Sequence, residues 1–377
     1  MLQLSPLDLK MLLSFGFAAG MTFFLIPSIV KMANIKSLYA EPNHRTSHPT
    51  SVPTLGGIAI FIGFFITYLL FLYPEASFRF QYIIAASLVV FFIGFKDDLV
   101  GISPFKKFFG QIIAAWIVIS FGGIRLTNLH GFFGIQEIET GWSYLITIVA
   151  ILGITNCFNL TDGIDGLCSG LATVALVTFG AWFYYAQDYN WLILCISLTG
   201  SQLAFFYYNV FGKRNKIFMG DTGSLITGFI ISLVAIHFSE NTVDPVSPLF
   251  IRAAPAVAIG IIMVPFFDTL RVMTNRIVHG TSPFIPDKTH IHHYILQLGF
   301  NHIQTTLILA GTSLIFIGVS FFLHNRSVLL LLGVLMGLAA LLTMMVIYLV
   351  KRKSPTPLVI HPDLLTIPGK SRQRKYC

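Results

Sequence analysis

Long apolar runs recur along the whole chain, near residues 11–30, 55–72, 81–95, 108–122, 142–155, 167–185, 191–208, 222–238, 251–271, 305–323 and 328–350. In hydrocarbon a backbone must satisfy its own N–H and C=O groups, which a helix does within one segment. These runs therefore predict an all-α polytopic membrane protein of about eleven transmembrane helices. Several are shorter than the ~20 residues that a straight crossing needs, so their helices extend into the flanking loops. The composition agrees: 55% of residues are hydrophobic and 11% charged, against roughly 25% charged in soluble domains. Residues 1–350 read as one integral-membrane domain and 351–377 as a basic cytoplasmic tail. The first run lacks a small-residue cleavage site and reads as a retained helix rather than a signal peptide. The four cysteines show no CxxC or metal-ligand spacing and are expected to be free thiols.

A formal net charge of +8 raises the question of nucleic acid, but its distribution answers it. With eleven crossings, the odd-numbered loops and the tail hold 19 of the 24 lysines and arginines. That asymmetry is the topological signature of cytoplasmic loops, so the N-terminus is expected outside, the C-terminus inside, and no nucleic-acid partner is needed.

The same sorting collects the chemistry on one face. The cytoplasmic segments carry Asp97 and Asp98 with Lys106 and Lys107, then NCFNLTDGIDG with Asn159, Asp162 and Asp165, then FMGDTGS with Asp221, then HIHH with His290, His292 and His293. Burying so polar a run as residues 156–166 in hydrocarbon costs several kcal/mol per unpaired group, so it belongs at a wet edge or cavity. Clustered carboxylates beside lysines and imidazoles suit phosphate chemistry, because Mg²⁺ takes one or two carboxylates and completes its shell with substrate phosphates. Taken singly, each motif has a plainer reading. The Asp97–Asp98 pair is equally a solvated helix end, DGIDG a turn, and FMGDTGS a helix N-terminus capped by Asp221 or Thr222. HIHH lacks the ligands of a structural zinc site. Their convergence on one face decides for a site. Asp268 and Arg271, at i and i+3, read as an ion pair.

The ordered motifs GFKDDLVG, NCFNLTDGIDG, FMGDTGSLITG and PDKTHIHH resemble the polyprenyl-phosphate N-acetylhexosamine-1-phosphate transferase family, over roughly residues 45–298. Within it they look most like the branch that transfers GlcNAc-1-phosphate from UDP-GlcNAc to undecaprenyl phosphate, an early step towards O-antigen, common-antigen or teichoic-acid linkage. A sibling branch that transfers phospho-N-acetylmuramoyl-pentapeptide has three consecutive histidines where this chain has His290, Ile291, His292 and His293. The resemblance implies helices around a cytoplasm-facing cleft in a bacterial cytoplasmic membrane, dependence on Mg²⁺ with Mn²⁺ as a substitute, and often a homodimer. It implies Asp221 as the principal metal ligand, with Asp97 and Asp98 engaging metal and lipid phosphate. Asn159, Asp162 and Asp165 would line the nucleotide site, Phe218 would stack on uracil, and the HIHH histidines would hold the diphosphate. Thr54 would lie near the nucleotide, and Arg45 or His48 would stand in for an upstream lysine of the family. At the membrane interface Lys106 and Lys107 read equally as partners of the lipid phosphate and as positive-inside anchors.

A phosphate monoester with a second pKa of ~6 is already largely ionised at neutral pH, which favours an orienting or metal-binding role for Asp97 over a general base. Two other classes account for part of the pattern. An intramembrane aspartyl protease would use the Gly220–Asp221 context but leaves HIHH and NLTDGIDG idle. A secondary transporter would place its ionisable groups near the midplane, often with repeat symmetry. Which UDP-N-acetylhexosamine is the donor depends on loop geometry around residues 282–293.

Overall fold

The computed structural model describes residues 5–36, 38, 52–73, 79–244, 246–282 and 289–353. Arg45, His48 and the tail beyond residue 353 lie outside these. The described chain is helical apart from one small hairpin. Helix α1 (Pro6–Lys36) opens on Ser5, whose hydroxyl accepts from the Asp8 amide while the Asp8 carboxylate accepts from the Ser5 amide. Then come α2 (Gly56–Phe71), α3 (Arg79–Val100) and α4 (Pro104–Ser120), followed by the antiparallel strands β1 (Asn128–Phe132) and β2 (Ile135–Glu137). Helices α5 (Thr140–Thr161), α6 (Leu167–Tyr185), α7 (Tyr189–Phe211) and α8 (Gly220–Glu240) follow. The chain ends in α9 (Ala254–Ile261), α10 (Met263–Val278), the short α11 (Ile291–Gln297), α12 (His302–Phe322) and α13 (Val328–Lys353).

Every apolar run of the sequence lies on a helix, yet seven of the described helices are long and apolar enough to cross a membrane, or eight if α9 and α10 form one bent span. The others fall short for identifiable reasons. Helix α2 has 16 residues, and α3 carries Lys96, Asp97 and Asp98 inside its last turns. Helix α4 carries Lys106 and Lys107 inside its first. The expected loop at 96–107 has thus largely become helix ends. Helices α9 and α10 meet at 86° around Ile262. Pro265 explains the break, since it has no N–H to donate and its ring would clash with the Ile261 carbonyl in a continuous helix.

Helix α8 is the axis of the bundle, with 94% of its apolar window buried. It packs against α5, α3, α2, α9 and α6, while α7 is sandwiched between α1 and α6. Its approach to α2 is a glycine contact: a Cβ on Gly57 would come within 2.1 Å of the Gly223 nitrogen. Residues 52–57 are stitched to the start of α8 by backbone bonds from Phe218 to Pro53, Gly56 to Phe218 and Gly57 to Met219. Packing of this closeness fixes the N-terminal end of α8 against the ends of α2 and α3.

Candidate active site

Helix α5 runs through Asn156 and Asn159 rather than stopping before them. Both amides find partners inside the protein, which removes the reason for a loop. The Asn156 amide donates to Gln111 Oε1 at 2.7 Å and to the Leu152 carbonyl at 2.7 Å. The Asn159 amide donates to Asp221 Oδ1 and, at 2.8 Å, to Ser224 Oγ.

Asp221 sits in the first turn of α8, and its side chain faces α3, α4 and α5. Lys107, from the first turn of α4, sends its ammonium between the carboxylates of Asp97 (3.0 Å) and Asp221 (2.6 Å), with Asn159 Oδ1 at 3.4 Å. The other oxygen of Asp97 accepts from the Ile102 amide at 2.7 Å. Asp98 faces the other way. Its carboxylate accepts from the Asp221 amide (2.7 Å), the Thr222 amide (2.9 Å) and the Thr222 hydroxyl (2.5 Å). The start of α8 is therefore capped from α3, not by Asp221 or Thr222 themselves, and Asp98 satisfies amides that would otherwise be orphaned. Gly220 makes this possible with φ of +71°; a Cβ there would meet the Thr54 carbonyl at 2.1 Å and the Asp98 carboxylate at 2.6 Å.

Asp162, just past the end of α5, belongs to the same cluster. Burial, reinforced by the charges of Asp221, Asp98 and Asp165, pushes its carboxyl up to about 8, against a backbone hydrogen bond from Gly220. Asp165 lies apart. Burial raises it, but hydrogen bonds from His302 and Lys216 outweigh burial and hold it below the usual carboxylate range. Lys216 Nζ is 2.7 Å and His302 Nδ1 3.2 Å from the same Oδ2.

The histidine motif opens α11. Asp268 is more than the partner of Arg271: its carboxylate takes Arg271 at 2.7 Å, His290 Nδ1 at 2.8 Å and the Ile291 amide at 3.0 Å, so it anchors the N-terminal end of α11. The His290 and His292 rings lie parallel, with centroids 5.6 Å apart, and His293 is 4.2 Å from His292. His292 is buried with no hydrogen-bond partner on Nε2, and that atom points at Gly163, where a Cβ would be only 2.5 Å away. Burial first, then the neighbouring His293 charge, push the ring down to about 3 despite the opposing Asp268, so it is neutral at physiological pH. The structure thus brings HIHH onto the DGIDG turn. Lys106 is exposed and stays outside the cluster. Phe218 is half-buried, held by its backbone, with Lys216 Nζ 5.8 Å from its ring.

Among the described residues no three His, Cys, Asp or Glu side chains form a ready-made metal cage. The donor set nevertheless suits a hard cation, because Asp97 and Asp221 already share one positive charge and Mg²⁺ needs only one or two carboxylates beside phosphate oxygens. The partners that sequence reasoning missed are His302, Lys216, Ser224, Gln111 and the anchoring role of Asp268. Lys216 was signalled only by its place two residues before Phe218.

Comparison with known proteins gives the arrangement its context. The family described as Glycosyl transferase family 4 matches residues 80–239. The undecaprenyl-phosphate alpha-N-acetylglucosaminyl 1-phosphate transferase of Escherichia coli O157:H7 is 33% identical over 77% of this chain and 78% of its own length. The protein of that name from Yersinia pestis is 32% identical over 80% and 81%. A probable undecaprenyl-phosphate N-acetylglucosaminyl 1-phosphate transferase of Bacillus subtilis (strain 168) is 33% identical over 78% and 80%.

Proposed function

Since the chain belongs to the family of undecaprenyl-phosphate N-acetylglucosaminyl 1-phosphate transferases, we propose that it transfers GlcNAc-1-phosphate from UDP-GlcNAc to undecaprenyl phosphate and releases UMP. The observation that carries this reading is the meeting of Asp97, Asp221 and Asn159 around the Lys107 ammonium, with HIHH folded onto the adjoining DGIDG turn. These groups come from α3, α8, α5, α4 and α11, which no ion pair confined to one helix end requires.

In the reaction, an oxygen of the lipid phosphate attacks the phosphorus that bears the sugar. The P–O bond to the uridylate breaks, and UMP departs with its electron pair. Two anions must approach one another, so the site must supply positive charge and hold its own carboxylates in place. Asp221 and Asp97 are the residues that would hold Mg²⁺, or Mn²⁺ in its stead. When bound, the cation would offset charge between the joining phosphates and on the departing UMP. Asp97 is oriented by the Ile102 amide and Lys107, which supports an orienting role over that of a base. Lys107 brings a cation to the phosphates, while Asp98 keeps the start of α8 aimed at them. His292, with a free Nε2 and no charge, supports a role as a neutral partner for the diphosphate; Phe218 serves as the platform for uracil.

With α2, α3 and α4 also crossing and α9–α10 as one bent span the count is eleven, and the basic residues then collect on one side, which supports the N-terminus outside and this site in the cytoplasm of a bacterial cell. The test is UMP release by detergent-purified protein given UDP-GlcNAc and undecaprenyl phosphate, with and without Mg²⁺. Metal-dependent release that Asp221→Asn abolishes is the expected outcome. Silence with UDP-GlcNAc and every other UDP-N-acetylhexosamine would sink the reading.

A further inference from the structure

The carboxylate at Asp165 is used by residues that none of the motifs contains. Its Oδ2 accepts from Lys216 Nζ at 2.7 Å and contacts His302 Nδ1 at 3.2 Å, while its backbone oxygen accepts from Thr306 Oγ1 at 3.2 Å. His302 and Thr306 are one helical turn apart on α12, so the first turn of that helix grips Asp165 by side chain and main chain together. Lys216 lies in the segment between α7 and α8 that carries Phe218. A second tether runs beside the first: the Gly166 amide donates to Asn209 Oδ1 at 2.6 Å, and the Asn209 amide donates to the Ile217 carbonyl at 2.9 Å. The turn after α5 and the Phe218 segment are thereby fixed to one another twice, and α12 holds the pair from the side.

We infer that His302 is a positioning residue for the nucleotide donor, acting through Asp165 and Lys216 to set the Phe218 segment and the DGIDG turn. This deepens the proposed function and rests on it for the identity of the donor. Helix α12 begins shortly after the histidine-bearing α11, whose His292 lies against Gly163 of the same turn. The clasp bonds directly to the DGIDG turn and the Phe218 segment, whereas the Lys107 ammonium is bonded to Asp97, Asn159 and Asp221 instead. Loosening it should weaken donor use and leave the lipid acceptor and the chemical step unchanged.

The experiment measures kcat, and KM for UDP-GlcNAc and for undecaprenyl phosphate separately, in His302→Ala, His302→Asn and Lys216→Met, alongside thermal unfolding. His302→Ala is expected to raise the donor KM about ten-fold, the cost of roughly one charge-assisted hydrogen bond. Its kcat and lipid KM should stay within about two-fold of wild type. His302→Asn should recover most of the loss, because an amide nitrogen can stand where Nδ1 stands. Lys216→Met should reproduce the donor effect, and its combination with His302→Ala should cost less than the product of the two. A donor KM that does not move, or a loss shared equally by both substrates, overturns the inference. Titration of UMP alone into the protein separates this outcome from failure of the proposed reaction. Wild type that binds UMP but transfers nothing sinks the reaction, and the clasp is then judged by whether His302→Ala weakens UMP binding.

Discussion

The two ends of α8 are built from similar side chains and behave oppositely. At the start, Asp221 shares its charge with Lys107 and Asn159, its neighbour Asp97 divides its two oxygens between the same lysine and the Ile102 amide, and Asp98 is committed to the head of α8. At the far end, the Glu240 carboxylate is taken up by the Thr127 amide (2.9 Å) and hydroxyl (2.5 Å), and His130 reaches the Ser239 carbonyl at 3.1 Å. His237 there pairs with Asp188 at 2.7 Å and stacks on Trp191 at 4.1 Å with an interplanar angle of 11°. The far end is closed: its polar atoms are absorbed by the hairpin and by aromatic surface. The near end concentrates carboxylates around the Lys107 ammonium, an arrangement that gains most when phosphates and a dication arrive. Charge alone does not mark a site; charge whose partners are exchangeable does.

That contrast makes stability and activity separable at the near end. Asp221→Asn should cost at least about a thousand-fold in turnover, on the order of 4 kcal/mol of barrier. It should change the unfolding midpoint less than loss of Asp98 does, since Lys107 keeps Asp97 as its partner. Asp98→Ala should do the reverse in emphasis. It leaves two amides and a hydroxyl at the head of a buried helix without their acceptor and should lower unfolding free energy by about 2 kcal/mol. Asp98→Asn should recover about half of that, having one oxygen left to accept. Denaturation of the three variants side by side checks the ordering, and an Asp98→Ala as stable as wild type would dissolve the distinction between capping and reacting carboxylates.

Asp162 offers a subtler test. Its folded-state pKa of about 8 lies above its ordinary carboxylate value. Folding therefore favours the protonated form, and that contribution is complete below about 4 and lost as pH rises through about 8. Above that point the buried charge opposes the fold. In chelator, Asp162→Asn should gain thermal stability over wild type as pH is raised from 6 to 9, by a few degrees. A gap independent of pH would show that Asp162 is ionised throughout.

Much of this was readable in advance, and the failures have a common cause. The four motifs and their shared face follow from polar residues placed against long apolar runs, a local signal. The extent of α5 does not, because Asn156 and Asn159 look like loop residues until Gln111, Asp221 and Ser224 are seen to satisfy them. The cap of α8 was invisible for the same reason: Asp98 lies 123 residues before the amide it serves. His302 carries no motif and acquires its place only when α12 packs beside α6. Arg45 and His48 fall outside the described residues. Local pattern reports which residues are polar; the tertiary partner decides whether they react, cap or hold.

At the far end the smallest effect is expected, and it isolates what the closed cluster contributes. His237→Phe keeps a flat ring to lie on Trp191 and near Phe183, and removes the hydrogen bonds of Nε2 to Asp188 and to the Asn241 amide. Asp188 retains the Asn241 amide at 3.1 Å, so its carboxylate is not stranded. The loss should be below about 1 kcal/mol in unfolding free energy, with turnover unchanged. His237→Ala removes the stacked surface as well and should cost about 1 kcal/mol more. The difference between the two variants measures ring packing against hydrogen bonding at that end. If His237→Phe instead impaired UMP release while leaving stability intact, the far end would have to be coupled to the near one along α8, and the division between a closed structural end and an open reactive end would fail.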